Sequence, residues 1–273
     1  MTSAAFTDRQ ARERTYYDQF VQLSIPEVAS LDAIRGEERR SWNPYWHIAT
    51  VVRDYYRSPS QQLLDFGCGP GSYAVQFAHI GYEVTGFDIS EGNVQAAQAL
   101  AKRYGVAERT HFNVSTAEQL DYPSSTFDVV VGVDILHHVD IPRALAECQR
   151  VLKPGGVAIF KEPIEVPIFD RLRNSWLGRT LLPKDASMDR HITHDEKKLT
   201  AADLAHIAAT YQVVEERRFR VVSRIEAFIA AGGHVWCTLN GASRLEMLDE
   251  RLLRVCPPLR VLGGNVVLTC RHR

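Results

Sequence analysis

The residues best placed to do chemistry fall in a short glycine-rich stretch and in single acidic and histidine residues downstream of it. Gly67, Gly69 and Gly71 alternate in Asp65-Phe66-Gly67-Cys68-Gly69-Pro70-Gly71. Glycine permits positive φ and lets the backbone approach a ligand closely. With a strand before this loop and a helix after it, the helix N-terminus adds unpaired N–H groups and positive potential, which makes a nucleotide-binding arrangement. Asp88 closes the next apolar run, 21 positions after Gly67. A carboxylate at that place can accept hydrogen bonds from the hydroxyls of a ribose. Further on stand His137 and His138, with Glu162 at the end of another apolar run. Histidine and glutamate there can move a proton or face developing charge.

These residues need a sheet to carry them. Gln61 to Phe66 and Glu83 to Phe87 read as strands, His111 to Val114 as a short third, and Phe127 to Val133 and Val157 to Lys161 as two more. The near-continuous apolar run at Phe127 suits a strand buried on both faces of a parallel sheet. Helical spacing fills Ser72 to Ile80, Glu91 to Tyr104 and Ile141 to Leu152, with Ser90 as an N-cap and Gly81 and Gly105 as terminators. Strands alternating with helices predict an α/β fold, a Rossmann-like, mostly parallel sheet flanked by helices. Residues 1–60, rich in aromatics, predict a helical cap. Residues 61–273 predict the Rossmann-like domain, with lid segments at 163–197 and 222–262. After a capping box at Thr200 to Asp203 and a helix, Val213 to Val221 reads as strand, and Asn265 to Cys270 closes the chain with another.

At this point the chain resembles the class I S-adenosylmethionine-dependent methyltransferases, in their small-molecule, ubiquinone-biosynthesis-like branch. The resemblance is carried by Leu63 to Gly71, Val84 to Ser90, Phe127 to Val131, Leu136-His137-His138-Val139 and Arg150-Val151-Leu152-Lys153-Pro154-Gly155-Gly156. It implies S-adenosyl-L-methionine as cofactor. It puts Asp65, Gly67 and Gly69 around the methionine part, with Cys68 and Gly71 among the cofactor-binding residues, Asp88 at the ribose, Ile89 on the adenine and Asp134 beside the sulfonium. Thr116 and Ala117 follow the third strand where relatives often carry an acidic residue before Ala-Glu; a hydroxyl or carbonyl accepts the adenine amino group more weakly than a carboxylate. Tyr17, in the N-terminal helices, is a candidate to reach the cofactor, whereas Tyr45 reads as core. His137, His138 and Glu162 are the catalytic candidates. Asp134-x-x-His137-His138 is similar to a Glu-x-x-Glu-His metal cluster of some quinone and small-RNA methyltransferases, with two substitutions. No metal is expected here.

A net charge of -1, from 32 basic and 33 acidic residues, gives no global field toward nucleic acid or an anionic membrane. The five cysteines show no zinc spacing, and their scatter fits a reducing cytoplasm. No membrane span is expected, since the uncharged run Ala227 to Ser243 is broken by glycines, His234 and Asn240. The expected partner is a small, apolar metabolite, methylated at oxygen or carbon; a homo-oligomer is left open. His191 to Glu196 is a polar loop motif. Competing readings are the same fold without methyl transfer, as a cyclase or binding module, and a nicotinamide-dependent oxidoreductase. Ser72, standing where a third fingerprint glycine or alanine would fall, argues against the oxidoreductase.

Overall fold

The computed structural model describes residues 6–21, 40–176, 197–225 and 244–272. Among the described residues, the helices Asp8–Val21 (α1) and Pro44–Tyr55 (α2) come first. The alternation follows: Gln62–Phe66 (β1), Ser72–Ile80 (α3), Glu83–Asp88 (β2), Glu91–Arg103 (α4), Thr110–Val114 (β3), Phe127–Val133 (β4), Ile141–Val151 (α5) and Leu152–Pro163 (β5). The described chain ends with Pro167–Asn174 (α6), Ala201–Thr210 (α7), Gln212–Phe219 (β6), Arg244–Val255 (α8) and Asn265–Arg271 (β7). One seven-stranded sheet runs β3-β2-β1-β4-β5-β7-β6. Strands β1 to β5 are parallel, and β7 lies antiparallel between β5 and β6. The architecture is the mostly parallel, Rossmann-like α/β sheet that the sequence pattern predicts.

Local signals act where they stand. The Ser90 hydroxyl accepts the Asn93 N–H at 3.0 Å and caps α4. Thr200 and Asp203 form a reciprocal capping box at α7. The largest boundary difference is at β5, which begins at Leu152, not Val157. Leu152 already pairs with Phe127, and the Lys-Pro-Gly-Gly segment is absorbed as an irregularity in the ladder.

Side-chain parity divides the core into two layers. Leu63, Val129, Val131, Val157 and Ile159 face a layer built with Ile48 and Val52 of α2, Val75 and Phe77 of α3 and Leu100 of α4. Leu64, Phe66, Val130, Ala158 and Phe160 face the other, with Ala144, Leu145 and Cys148 of α5 and Ile207 of α7. Helix α2 is therefore one of the helices that cover the sheet. The same alternation sends Lys161 toward the α2 layer and Glu162 toward the α5 layer.

Among the described residues, no helix is long and apolar enough to cross a membrane. The polar motif His191 to Glu196, Cys237 and the run Ala227 to Ser243 lie outside the described residues, as do parts of both expected lid segments.

Candidate active site

Strand order reverses between β1 and β4, because the chain builds outward from β1 through β2 to β3 and then returns to the other side. Ligands of such sheets bind in the crevice at the carboxyl ends of strands flanking this reversal. The glycine loop leaves β1 at that crevice. Gly67, Gly69 and Gly71 all adopt positive φ, at 77°, 50° and 86°. A Cβ on Gly67 would meet Ile135 at 2.7 Å, and one on Gly71 would meet the Ala97 Cβ at 2.7 Å. One on Gly69 would meet nothing within 4 Å. Gly67 and Gly71 are thus required by packing, while Gly69 lines open space. Cys68 is buried, its thiol donates to the Gly69 carbonyl, and burial pushes it well above its ordinary pKa.

Asp88 is bound into this loop. Its Oδ2 accepts the Gly69 N–H at 2.9 Å, and its Oδ1 accepts the Ser90 N–H at 2.9 Å and the Asn93 amide at 3.0 Å. Three of about four carboxylate acceptor positions are therefore in use, which leaves room for one more hydroxyl without losing an existing bond. Asp65, on β1, is buried, and its Oδ2 has no hydrogen-bond partner. Burial first, and then the neighbouring Asp88, raise its pKa to about 7, against a small opposing effect of the Ala74 N–H. A carboxylate in this state calls for a cationic partner such as an ammonium. Ile89 and Thr116 are half-buried and Ala117 buried beyond the ends of β2 and β3. Thr116 bridges to Gln119, whose N–H takes the Thr116 carbonyl at 3.2 Å.

On the other side of the reversal the site is made of side chains. Asp134 follows β4 in a left-handed conformation, φ 54°, sparsely populated by residues other than glycine. Its carboxylate accepts two hydrogen bonds from the Lys161 ammonium, at 2.6 and 2.8 Å, and one from the Tyr45 hydroxyl at 3.0 Å. Lys161 also donates to the Tyr45 oxygen at 3.0 Å and lies 4.2 Å from the centroid of its ring. Burial alone would raise the Asp134 pKa, but the charges of Lys161 and His137 and the hydrogen bonds of Lys161 and Tyr45 hold it below the ordinary value.

One residue further along β5, on the opposite face, Glu162 is 0% exposed. Its Oε1 accepts the Ile135 and Leu136 N–H groups at 2.9 and 2.8 Å, and its Oε2 lies 2.6 Å from His137 Nδ1. Glu162 is therefore no surface carboxylate, and it reaches the crevice only through His137. The ring of His138 lies 4.1 Å from that of His137, but its polar contacts go elsewhere. Its Nε2 lies 3.1 Å from the Tyr17 hydroxyl and its Nδ1 3.4 Å from Glu13 Oε2, both on α1. The same helix reaches the cofactor side through Asp18, which accepts from the Ser90 hydroxyl at 2.5 Å and the Gly92 N–H at 3.2 Å. It also reaches Glu118, through Gln10 at 3.0 Å.

The structure thus gathers Asp65, the loop glycines and Asp88 at one end of the crevice and Asp134, His137 and Glu162 at the other. Sequence reasoning missed Lys161 and counted Tyr45 as core. The available signal was a lysine closing an otherwise apolar strand. Donor atoms of Asp134, His137 and Glu162 lie within 4.8 Å of one another. Both Asp134 oxygens already hold an ammonium, and both Glu162 oxygens accept hydrogen bonds.

Comparison with known proteins bears on this arrangement. Residues 64–160 match the family model of a methyltransferase domain. The chain is 42% identical over 96 residues to a ubiquinone biosynthesis O-methyltransferase of Paramagnetospirillum magneticum, covering 35% of this chain and 37% of that protein. Over residues 64–160 this chain is therefore similar to a methyltransferase domain. A 27-O-demethylrifamycin SV methyltransferase of Amycolatopsis mediterranei is 38% identical over 108 residues, 39% of this chain and 40% of that protein. The chain therefore spans about two fifths of the curated relatives it matches. Outside the shared methyltransferase domain the likeness is one of fold. Geranyl diphosphate C-methyltransferase from Streptomyces coelicolor superposes with a TM-score of 0.64 at 14% identity, over 99% of this chain and 100% of that one. The [4+2]-cyclase SpnF does so with 0.61 at 20%, over 98% and 97%.

Proposed function

We propose that this protein transfers a methyl group from S-adenosylmethionine to an oxygen or carbon of a small, largely apolar metabolite. One observation carries the reading: a glycine loop in left-handed conformations is hydrogen-bonded to Asp88 at the strand reversal, beside a buried Asp65 carboxylate oxygen that lacks a partner. That donor set fits the proposed cofactor. Asp65 would hold the ammonium of the methionine part against Gly67, Cys68, Gly69 and Gly71. Asp88 would take a ribose hydroxyl, and Ile89, Thr116 and Ala117 would border the adenine. Asp134 would border the sulfonium, and Tyr17 on α1 would help close the crevice.

When bound, the cofactor supplies an electrophilic methyl group. His137 takes the proton of the acceptor. With Nδ1 committed to Glu162, that transfer runs through Nε2, and the buried carboxylate stabilises the imidazolium that forms. Glu162 acts through this contact, and His138 is a fastening point for α1. Both Asp134 and Glu162 are internally compensated, so an amine acceptor, which would develop positive charge, gains little here. Helix α1 would help to enclose the acceptor, with the protein working in the cytoplasm.

The test is calorimetric titration with S-adenosylmethionine, S-adenosylhomocysteine and NADH, together with Asp88→Ala. Binding of the first two, lost on the order of 100-fold in Asp88→Ala with the fold retained, supports the reading. Binding of NADH alone, or unchanged affinity in the variant, would overturn it. Incubation with radiolabelled S-adenosylmethionine and metabolite extracts separates a transferase, which labels a product, from a cyclase or binding module, which does not.

A further inference from the structure

Lys161 is a buried ammonium on β5, with 3% of its side chain exposed against 32% for its partner Asp134. Such a charge is costly to bury without partners. Three N–H groups meet three acceptor contacts here, two on Asp134 and one on Tyr45. Asp134 is the more exposed member of the ion pair. It directly precedes Ile135, the residue against which Gly67 packs, so it stands beside the glycine loop across the β1–β4 reversal. Asp88 lies on the β2 side of that loop. A molecule anchored at Asp88 and passing along the loop presents its far end to Asp134, with Lys161 directly behind.

We infer that Lys161 is a specificity-determining residue that sets the charge at this reactive end, so that the crevice holds the cationic sulfonium cofactor and its neutral thioether product with similar strength. The inference rests on the methyl-donor reading above. A bare Asp134 carboxylate would prefer the cation. The ammonium cancels that preference, and Tyr45 fixes the geometry by donating to one partner and accepting from the other. Lys161 acts through Asp134 and needs no contact with the ligand. The consequence is strong product inhibition, with donor and product competing on nearly equal terms.

The test compares affinities for S-adenosylmethionine and S-adenosylhomocysteine by calorimetry at pH 8.5 and fixed salt, and reads their ratio. Lys161→Met should move the ratio toward the cation by roughly tenfold, the size expected for one unit charge several ångströms away in a partly hydrated crevice. Lys161→Arg should restore it to within about twofold of the unsubstituted protein. Asp134→Asn, which keeps the shape of the side chain and leaves the ammonium uncompensated, should move the ratio the other way. A purely structural lysine would weaken both ligands alike and leave the ratio still; that result, or shifts of the same sign in Lys161→Met and Asp134→Asn, would overturn the inference. Failure of the unsubstituted protein to bind either ligand would overturn the methyl-donor reading itself, and is distinct from both.

Discussion

The two ends of the crevice are built from different materials. The β1–β2 end is made mostly of backbone. Three left-handed glycines set its shape, and its charged groups lie within 24 residues of one another, from Asp65 to Asp88. The β4–β5 end is made of side chains that the chain brings from Tyr45, Asp134, His137, Lys161 and Glu162. There the charges are paired off inside the protein, whereas at the β1–β2 end Asp65 keeps a buried oxygen without a partner. The first end is thus poised to gain a charged ligand group, whereas the second already satisfies its carboxylate oxygens with hydrogen bonds. The first should fail through sterics and the second through lost pairing.

The largest effect should come from breaking the backbone end. In Gly71→Val a branched side chain must sit at φ 86° with its Cβ 2.7 Å from Ala97, so a loss of about 4 kcal/mol is expected in urea melts. Gly69→Ala meets nothing within 4 Å and should cost only about 1 kcal/mol, the price of the conformation alone. Equal losses in the two variants would show that the loop is not governed by close approach.

Asp65→Asn probes the charge left unpaired at the same end. The pKa of Asp65 in the folded protein is about 7, raised by burial and by Asp88, against about 3.9 in an unfolded chain. A carboxyl shifted upward favours the folded state fully below the unfolded value, and this advantage disappears as pH rises through the folded one. The cofactor-free protein should therefore lose stability between about pH 4 and pH 7 on account of this group. Asp65→Asn should remove that slope, and relative to the parent it should gain roughly 4 kcal/mol between pH 4 and pH 8.5. Parallel stability–pH curves for the two proteins would mean that Asp65 is not held in the raised state.

The contrast also explains which features are legible in the amino-acid sequence and which are not. Positive φ at Gly67, Gly69 and Gly71 and the end of β2 at Asp88 are encoded locally, by residue type and by the rhythm of apolar runs. The Ser90 cap and the Thr200 box are local as well. The Asp134–Lys161–Tyr45 group is not, because it depends on β4 lying beside β5 and on α2 covering one face of the sheet. Lys161 and Glu162 are adjacent charges in sequence; only strand parity shows that they serve opposite faces. The split of His137 from His138 has the same origin, since one finds its partner on β5 and the other on α1.

Glu162→Gln tests the paired end. The carboxylate accepts two backbone N–H groups through one oxygen and His137 through the other, and an amide must turn its NH2 toward one set of donors. A loss of about 2 kcal/mol in stability is expected. Under the proposed mechanism the variant should also lose methyl transfer at neutral pH while retaining S-adenosylhomocysteine binding, because the β1–β2 end is untouched. Loss of that binding would mean that the two ends are not separable.

The smallest effect concerns the element that joins them. Helix α1 touches the β2 end through Asp18 and the β4 end through Tyr17, and both contacts are polar. Tyr17→Phe keeps the ring, which meets His138 edge-on at 5.7 Å, and removes only the hydroxyl bond. That should cost about 1 kcal/mol, read as roughly fivefold faster amide exchange along α1 with the sheet unaffected. If α1 docks as one body, Asp18→Asn should quicken exchange along the same whole helix rather than near its own contact. Exchange that rises only around the substituted residue would show that the two ends are held independently, and the crevice would then have two separate closures where a single helix now spans both.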